Sequence, residues 1–147
     1  MQKDNPNIFY TDDDVDDQDL FRDALAEVDD SLVLTTASDG DVLLSLLSSP
    51  PPRPRLIFLD LNMPRKNGYE VLKEIRASED MRNYPVIVFS TSTDEATIAT
   101  ARKMGADRFI SKPRTYDGIK KALKACIGTD WNADRFCADS DYLLRVS

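Results

Sequence analysis

Apolar positions along the chain fall into short continuous runs, and each run is followed by a stretch where they recur every three or four residues. Ile8-Phe9-Tyr10 is the first run, and it gives way to the acids Asp12, Asp13 and Asp14. Leu20, Phe21, Ala24, Leu25 and Val28 then share one face of a helix. Asp16, Asp17 and Asp19 sit at its start, where the helix dipole favours negative charge. Leu32-Val33-Leu34 predicts a second strand, Asp39-Gly40 a turn, and Val42, Leu43, Leu46 and Leu47 a short helix. Ser48 through Pro54 is a proline-rich loop. Leu56-Ile57-Phe58-Leu59 is apolar without alternation, as a central parallel strand covered on both faces should be, and it stops at Asp60. After the turn-rich stretch from Met63-Pro64 to Asn67-Gly68, Val71, Leu72 and Ile75 mark a third helix. Val86-Ile87-Val88-Phe89 ends at Ser90-Thr91-Ser92. Asp94 caps a fourth helix carrying Ile98, Ala101 and Met104, which Gly105 stops. Arg108-Phe109-Ile110 ends at Lys112-Pro113, and Ile119, Ala122, Leu123, Cys126 and Ile127 form a last amphipathic helix before Gly128.

This is a (βα)5 pattern, which implies an α/β fold: a doubly wound, five-stranded parallel sheet with helices on both faces. Ligands of such sheets bind beyond the carboxyl ends of the strands. Asp12, Asp13 and Asp14, then Asp60, Ser90 and Lys112, all directly follow apolar strand runs. They should converge on one edge.

Composition narrows what that edge can do. The chain has 147 residues, 41% hydrophobic and 31% charged, enough for one domain with a buried core. The formal net charge of -7 repels nucleic-acid phosphates and anionic lipid, so neither nucleic acid nor membrane is an expected partner. The two cysteines and the polar start MQKDNPN imply a cytoplasmic chain with reduced thiols. There are 0 histidines, which excludes Ser-His-Asp and Cys-His catalysis and any phosphohistidine on this chain itself.

Three carboxylates about 4 Å apart repel one another by roughly 4 kcal/mol per pair at an effective dielectric near 20. A proton or a cation must relieve that repulsion. Mg²⁺ suits such an oxygen cluster, keeping waters and taking one or two carboxylates plus a phosphoryl oxygen. Asp60, ending the most buried strand, is the expected nucleophile, since carboxylates form aspartyl phosphates. Lys112 would neutralise charge on the transferring group, and the Ser90 hydroxyl would bond another oxygen. No glycine-rich phosphate cradle is present, so the donor should be another phosphoprotein or a small acyl phosphate rather than ATP.

With these residues in place, the chain resembles the receiver domain of two-component response regulators over about residues 7–128. The resemblance rests on Asp12-Asp13, on Leu-Asp-Leu-Asn-Met-Pro-x-x-x-Gly from Leu59 to Gly68, on Ser90-Thr91 and on Lys112-Pro113. It implies the flavodoxin-like strand order 2-1-3-4-5. It implies a phosphoacceptor at Asp60, with Mg²⁺ held by Asp13, by Asp12 mainly through water, by Asp60 and by the Asn62 backbone carbonyl. It assigns Ser90 and Lys112 to the phosphoryl group, and Ser90 with Phe109 to a switch in which the aromatic turns inward. The signal would leave by the face of helix 4, strand 5 and helix 5. The implied partner is a sensor histidine kinase. Within the family the chain looks most like stand-alone receivers with a D-D-D-x-D-D first loop, some of which serve phytochrome-type kinases, and like chemotaxis-type regulators. Such a protein is not an enzyme in the usual sense, because it catalyses only its own phosphorylation and dephosphorylation. Thr91 departs from the small residue usual after the serine, which would narrow access to Asp60. Residues 129–147 match nothing in the family, and no output domain is expected after them; Trp131, Phe136, Tyr142 and Leu143 there would suit a packing or homodimerisation arm.

Each residue also has a plainer reading. Asp12–Asp14 could be a solvated loop and helix cap, with Asp14 needing no other role. Asp60 could be a cap, Ser90 a turn residue, Lys112 a surface lysine and Phe109 core. Their shared order favours chemistry. Two rival functions remain. A phosphatase of the haloacid-dehalogenase type would want a second Asp two residues after the nucleophile, where Asn62 stands. An adaptor that has lost the chemistry would not need this residue set intact.

Overall fold

A computed structural model describes residues 6–48, 53–63, 66–92, 94–128 and, for the backbone alone, 143–144. Strands β1 (Asn7–Thr11), β2 (Val33–Ala37), β3 (Leu56–Leu59), β4 (Val86–Ser90) and β5 (Arg108–Ser111) alternate with helices α1 (Val15–Val28), α2 (Gly40–Ser48), α3 (Gly68–Ala77), α4 (Glu95–Lys103) and α5 (Tyr116–Ile127). A two-residue strand β6 (Leu143–Leu144) follows. The sheet runs β2-β1-β3-β4-β5-β6, with every neighbouring pair parallel.

Two points differ from the sequence reading. The second strand begins one residue later than expected and runs on through Thr35, Thr36 and Ala37. β-Branched threonines suit an edge strand, and this one is half-buried, so its polar residues do not end it. The sheet also gains a sixth strand from the tail, pairing Phe109 with Leu143 and Ile110 with Leu144. Two residues carry too little periodicity to be seen in a sequence. Trp131, Phe136, Cys137 and Tyr142, and Pro64 nearer the site, lie outside the described residues.

The side-chain period of two divides the strands between two cores. Phe9, Ile57, Leu59, Val86, Val88 and Phe109 face the layer of α2, α3 and α4. Ile8, Tyr10, Leu56, Phe58, Ile87, Phe89 and Ile110 face the layer of α1 and α5. Full burial of each such side chain contributes about 1.5–3 kcal/mol. In the second layer Tyr10 stacks on Phe21 with centroids 4.1 Å apart, and Phe58 and Phe89 meet Phe21 edge-on.

Caps fix where the helices start. Asp14 accepts from the Asp16 and Asp17 amides at α1, Asn67 and Glu70 form a reciprocal capping box at α3, and Asp94 and Thr115 cap α4 and α5. Asp39 takes the Val42 amide at the start of α2. Gly105, at φ 107°, provides the left-handed turn after α4.

At the amino edge of the sheet, Arg76 ties α3 to two loops. Its guanidinium donates to the carbonyls of Gly105, Arg82 and Tyr84 and to Asp107, which also accepts the Val86 amide. The opposite, carboxyl edge is thereby left to carry the polar cluster.

Candidate functional site

Backbone bonds just beyond the strand ends set the cluster's positions. Asp12 N–H donates to Ala37, Asp60 N–H to Thr11 and Lys112 N–H to Ser90, at 3.1, 3.1 and 2.8 Å. Thr11 pairs with Leu59, so Asp12 and Asp60 leave β1 and β3 at the same level, while Lys112 follows β5 two residues further along.

The side chains meet there. Lys112 Nζ lies 2.6 Å from Asp12 Oδ2, 3.1 Å from Asp17 Oδ2 and 3.5 Å from Asp60 Oδ2. Oxygens of Asp12, Asp13 and Asp60 all lie within 4.8 Å of one another. Asp12 and Asp60 are buried, whereas Asp13 is exposed. Asp12 is held from three further directions. Tyr10 Oη donates to its Oδ2 at 2.5 Å, the Asp14 amide to its Oδ1 at 3.0 Å, and Gln18 Nε2 to its carbonyl at 2.6 Å.

The electrostatics follow from this crowding. Burial pushes the Asp60 carboxyl up to about 6; Lys112 pulls it down and the charge of Asp12 adds to the rise. Burial pushes Asp12 up as well, but the hydrogen bonds from Lys112, Tyr10 and the Asp14 amide prevail and hold it below the usual carboxylate range. Burial works against the Lys112 ammonium, and its bond to Asp12 with the charges of Asp60 and Asp12 raises it overall. The Tyr10 phenol is pushed far up by burial and by its bond to Asp12. Asp60 thus loses its proton only near pH 6, whereas Asp12 stays ionised below the usual carboxylate range.

Three oxygen donors, two of them buried and one open to solvent, fit a hard divalent cation that keeps part of its water shell. Asp12, Asp13 and Asp60 would hold it. Asn62 is exposed at the mouth, with its amide 3.4 Å from Asp60 Oδ1. Ser90 is fully buried, and its Oγ accepts the Ser92 amide at 3.2 Å. Phe109 is also fully buried, packed in the layer of α2, α3 and α4. An aromatic expected to turn inward on phosphorylation is already inward in this conformation. Thr91 is exposed and lines a cleft of about 330 Å³ with Tyr10, Leu20, Phe89, Lys112 and Tyr116.

Asp17 and Tyr10 join the cluster without having been picked out by the sequence reading. Tyr10 was legible in principle: in a strand it shares a side with Asp12, two residues on. Asp17 was not, because its link to Lys112 spans 95 residues. Asp14 contributes a helix cap rather than chemistry.

The response regulator receiver domain model matches residues 8–124. The chain belongs to the response regulator receiver domain family. It is 37% identical over 73 residues to response regulator Rcp1 of Synechocystis, covering 50% of this chain and 50% of Rcp1. It is 27% identical over 121 residues to the "Probable chemotaxis protein CheY" of Rhizobium etli, covering 82% of this chain and 92% of that protein. The phosphorylated cyanobacterial phytochrome response regulator RcpA superposes with a TM-score of 0.76 at 31% identity, over 82% of this chain and 90% of RcpA. The Mn²⁺-bound form of Rcp1 gives 0.73 at 29% identity, with the same coverage of each chain. The chain spans about half the length of the first curated relatives it matches. A two-component receiver with phytochrome-type and chemotaxis-type relatives is therefore established, and its five-strand order 2-1-3-4-5 is that of its structural neighbours. Among the described residues no helix is long and apolar enough to cross a membrane.

Proposed function

We propose that this receiver accepts a phosphoryl group on Asp60 from a partner histidine kinase, in a reaction that requires Mg²⁺. The observation that carries the reading is the meeting of Asp60, Asp12, Asp13 and Lys112, from three strand ends, in one cluster. An Asp60 carboxylate oxygen attacks phosphorus; the bond to the donor's imidazole nitrogen, or to the oxygen of an acyl phosphate, breaks, and its electron pair leaves with the donor. Lys112 neutralises charge on the phosphoryl oxygens, and the Ser90 hydroxyl donates to one of them. Mg²⁺ held by Asp12, Asp13 and Asp60 supplies the remaining charge neutralisation. Asn62, where a phosphatase would need a proton-shuttling acid, supports self-modification over turnover of external substrates. Likeness to RcpA, a cyanobacterial phytochrome response regulator, favours a phytochrome-type kinase. The added charge of about -1.5 to -2 biases the α4–β5–α5 face through Ser90, with Phe109 already packed inward.

Acetyl phosphate with Mg²⁺ should add one labile phosphoryl group by intact mass, and chelator or Asp60→Asn should abolish it. An adduct that persists in Asp60→Asn would remove Asp60 from the role.

A further inference from the structure

Lys112 directs its ammonium at three carboxylates, but only two of them, Asp12 and Asp60, belong to the cluster that would hold a cation. The third, Asp17, stands outside that cluster, in the first turn of α1. Its backbone is fixed there by the Asp14 cap. Its side chain is about one-third exposed, at 37%, against 1% for Asp12 and 7% for Asp60. Lys112 itself is mostly buried, at 12%, and so cannot simply swing into water.

This arrangement creates a competition. A divalent cation among Asp12, Asp13 and Asp60 claims the same carboxylates that Lys112 bonds, and two positive groups a few ångströms apart repel strongly in a poorly solvated site. The ammonium needs another acceptor within reach. Asp17 Oδ2, already 3.1 Å away, is that acceptor.

We propose that Asp17 is a positioning residue for metal binding: it takes over the Lys112 ammonium as the cation arrives, and so lowers the cost of loading the site. The inference rests on the metal-dependent reading of the cluster given above. Asp17 acts through Lys112 and is not itself a ligand. The same link keeps Lys112 close to the mouth of the site, ready for a phosphoryl oxygen.

The test is Mg²⁺ titration by calorimetry on the full chain, without any phosphodonor. Asp17→Asn should bind Mg²⁺ about three- to tenfold more weakly than wild type, and Asp17→Glu should recover most of the affinity. Circular dichroism melts establish that each variant is folded; Asp17 is exposed enough for both substitutions to be tolerated. The deciding arm is Lys112→Met alone and combined with Asp17→Asn. With no ammonium to displace, the Asp17 substitution should leave affinity unchanged. An equal loss in both backgrounds would mean that Asp17 acts only by its own negative field, and would overturn the proposal. Wild-type affinity in Asp17→Asn would overturn it too, while leaving the metal site intact. Should wild type itself not bind Mg²⁺, the metal reading falls and this inference with it.

Discussion

At the scale of single residues, burial has opposite outcomes for two neighbouring acids. Asp12 receives donors from Lys112, Tyr10 and the Asp14 amide and stays ionised, while Asp60, with the longest link to Lys112, is pushed up to about 6. The folded state therefore holds a proton on Asp60 between about pH 4 and 6 that the unfolded chain has released. Stability from this group falls as pH rises through that window. In chelator, Asp60→Asn should stabilise the protein at pH 7.5 by about 1–3 kcal/mol, with a much smaller gain at pH 4, as measured by urea denaturation. Equal gains at both pH values would rule out this origin. Thr91 is exposed and lines the same cleft as Lys112, so Thr91→Ala should speed both phosphorylation by acetyl phosphate and loss of the phosphoryl group several-fold, followed by intact mass over time. Sequence order was enough to nominate Asp12, Asp13, Asp60 and Lys112, because apolar runs announce strand ends. It could not rank their charge states, which depend on burial and on donors such as Tyr10.

At the scale of elements, glycine and arginine hold the two edges of the sheet in place. A Cβ on Gly68 would sit 2.5 Å from the Asp60 carbonyl oxygen and 2.8 Å from Leu61 Cα, both backbone atoms that cannot step aside. Helix α3 can approach the Asp60 loop this closely only without a side chain there. Gly68→Ala should cost about 1–3 kcal/mol and slow phosphorylation in the fraction that folds, read by denaturation and by adduct formation. Arg76 lies at the far edge, where it satisfies loop carbonyls and Asp107. Arg76→Met should cost about 3–5 kcal/mol and leave the phosphorylation rate of folded protein unchanged. A slowed rate would mean that the amino edge also shapes the site. Element types were legible because short continuous apolar runs and recurrences every three to four residues separate cleanly here. The extent of β2 and the presence of β6 were not, since edge strands carry mixed polarity and two residues carry no pattern.

At the scale of the whole molecule, the alternation along each strand does more than fill two cores. It makes the sheet a partition. Phe109 and Ile110 are adjacent in the chain yet belong to different layers. Ser90 follows Val88 on the side of α2, α3 and α4, whereas Lys112 follows Ile110 on the side of α1 and α5 and bonds Asp17 in α1. Phosphorylation of Asp60, as proposed, would therefore start two messages, one on each side of the sheet. A methyl NMR spectrum of the phosphorylated protein should show them separately. Ser90→Ala should silence shifts at Val88 while sparing those at Leu123, and Asp17→Asn should do the reverse. A receiver built this way has two separate layers through which one event at its edge could be read.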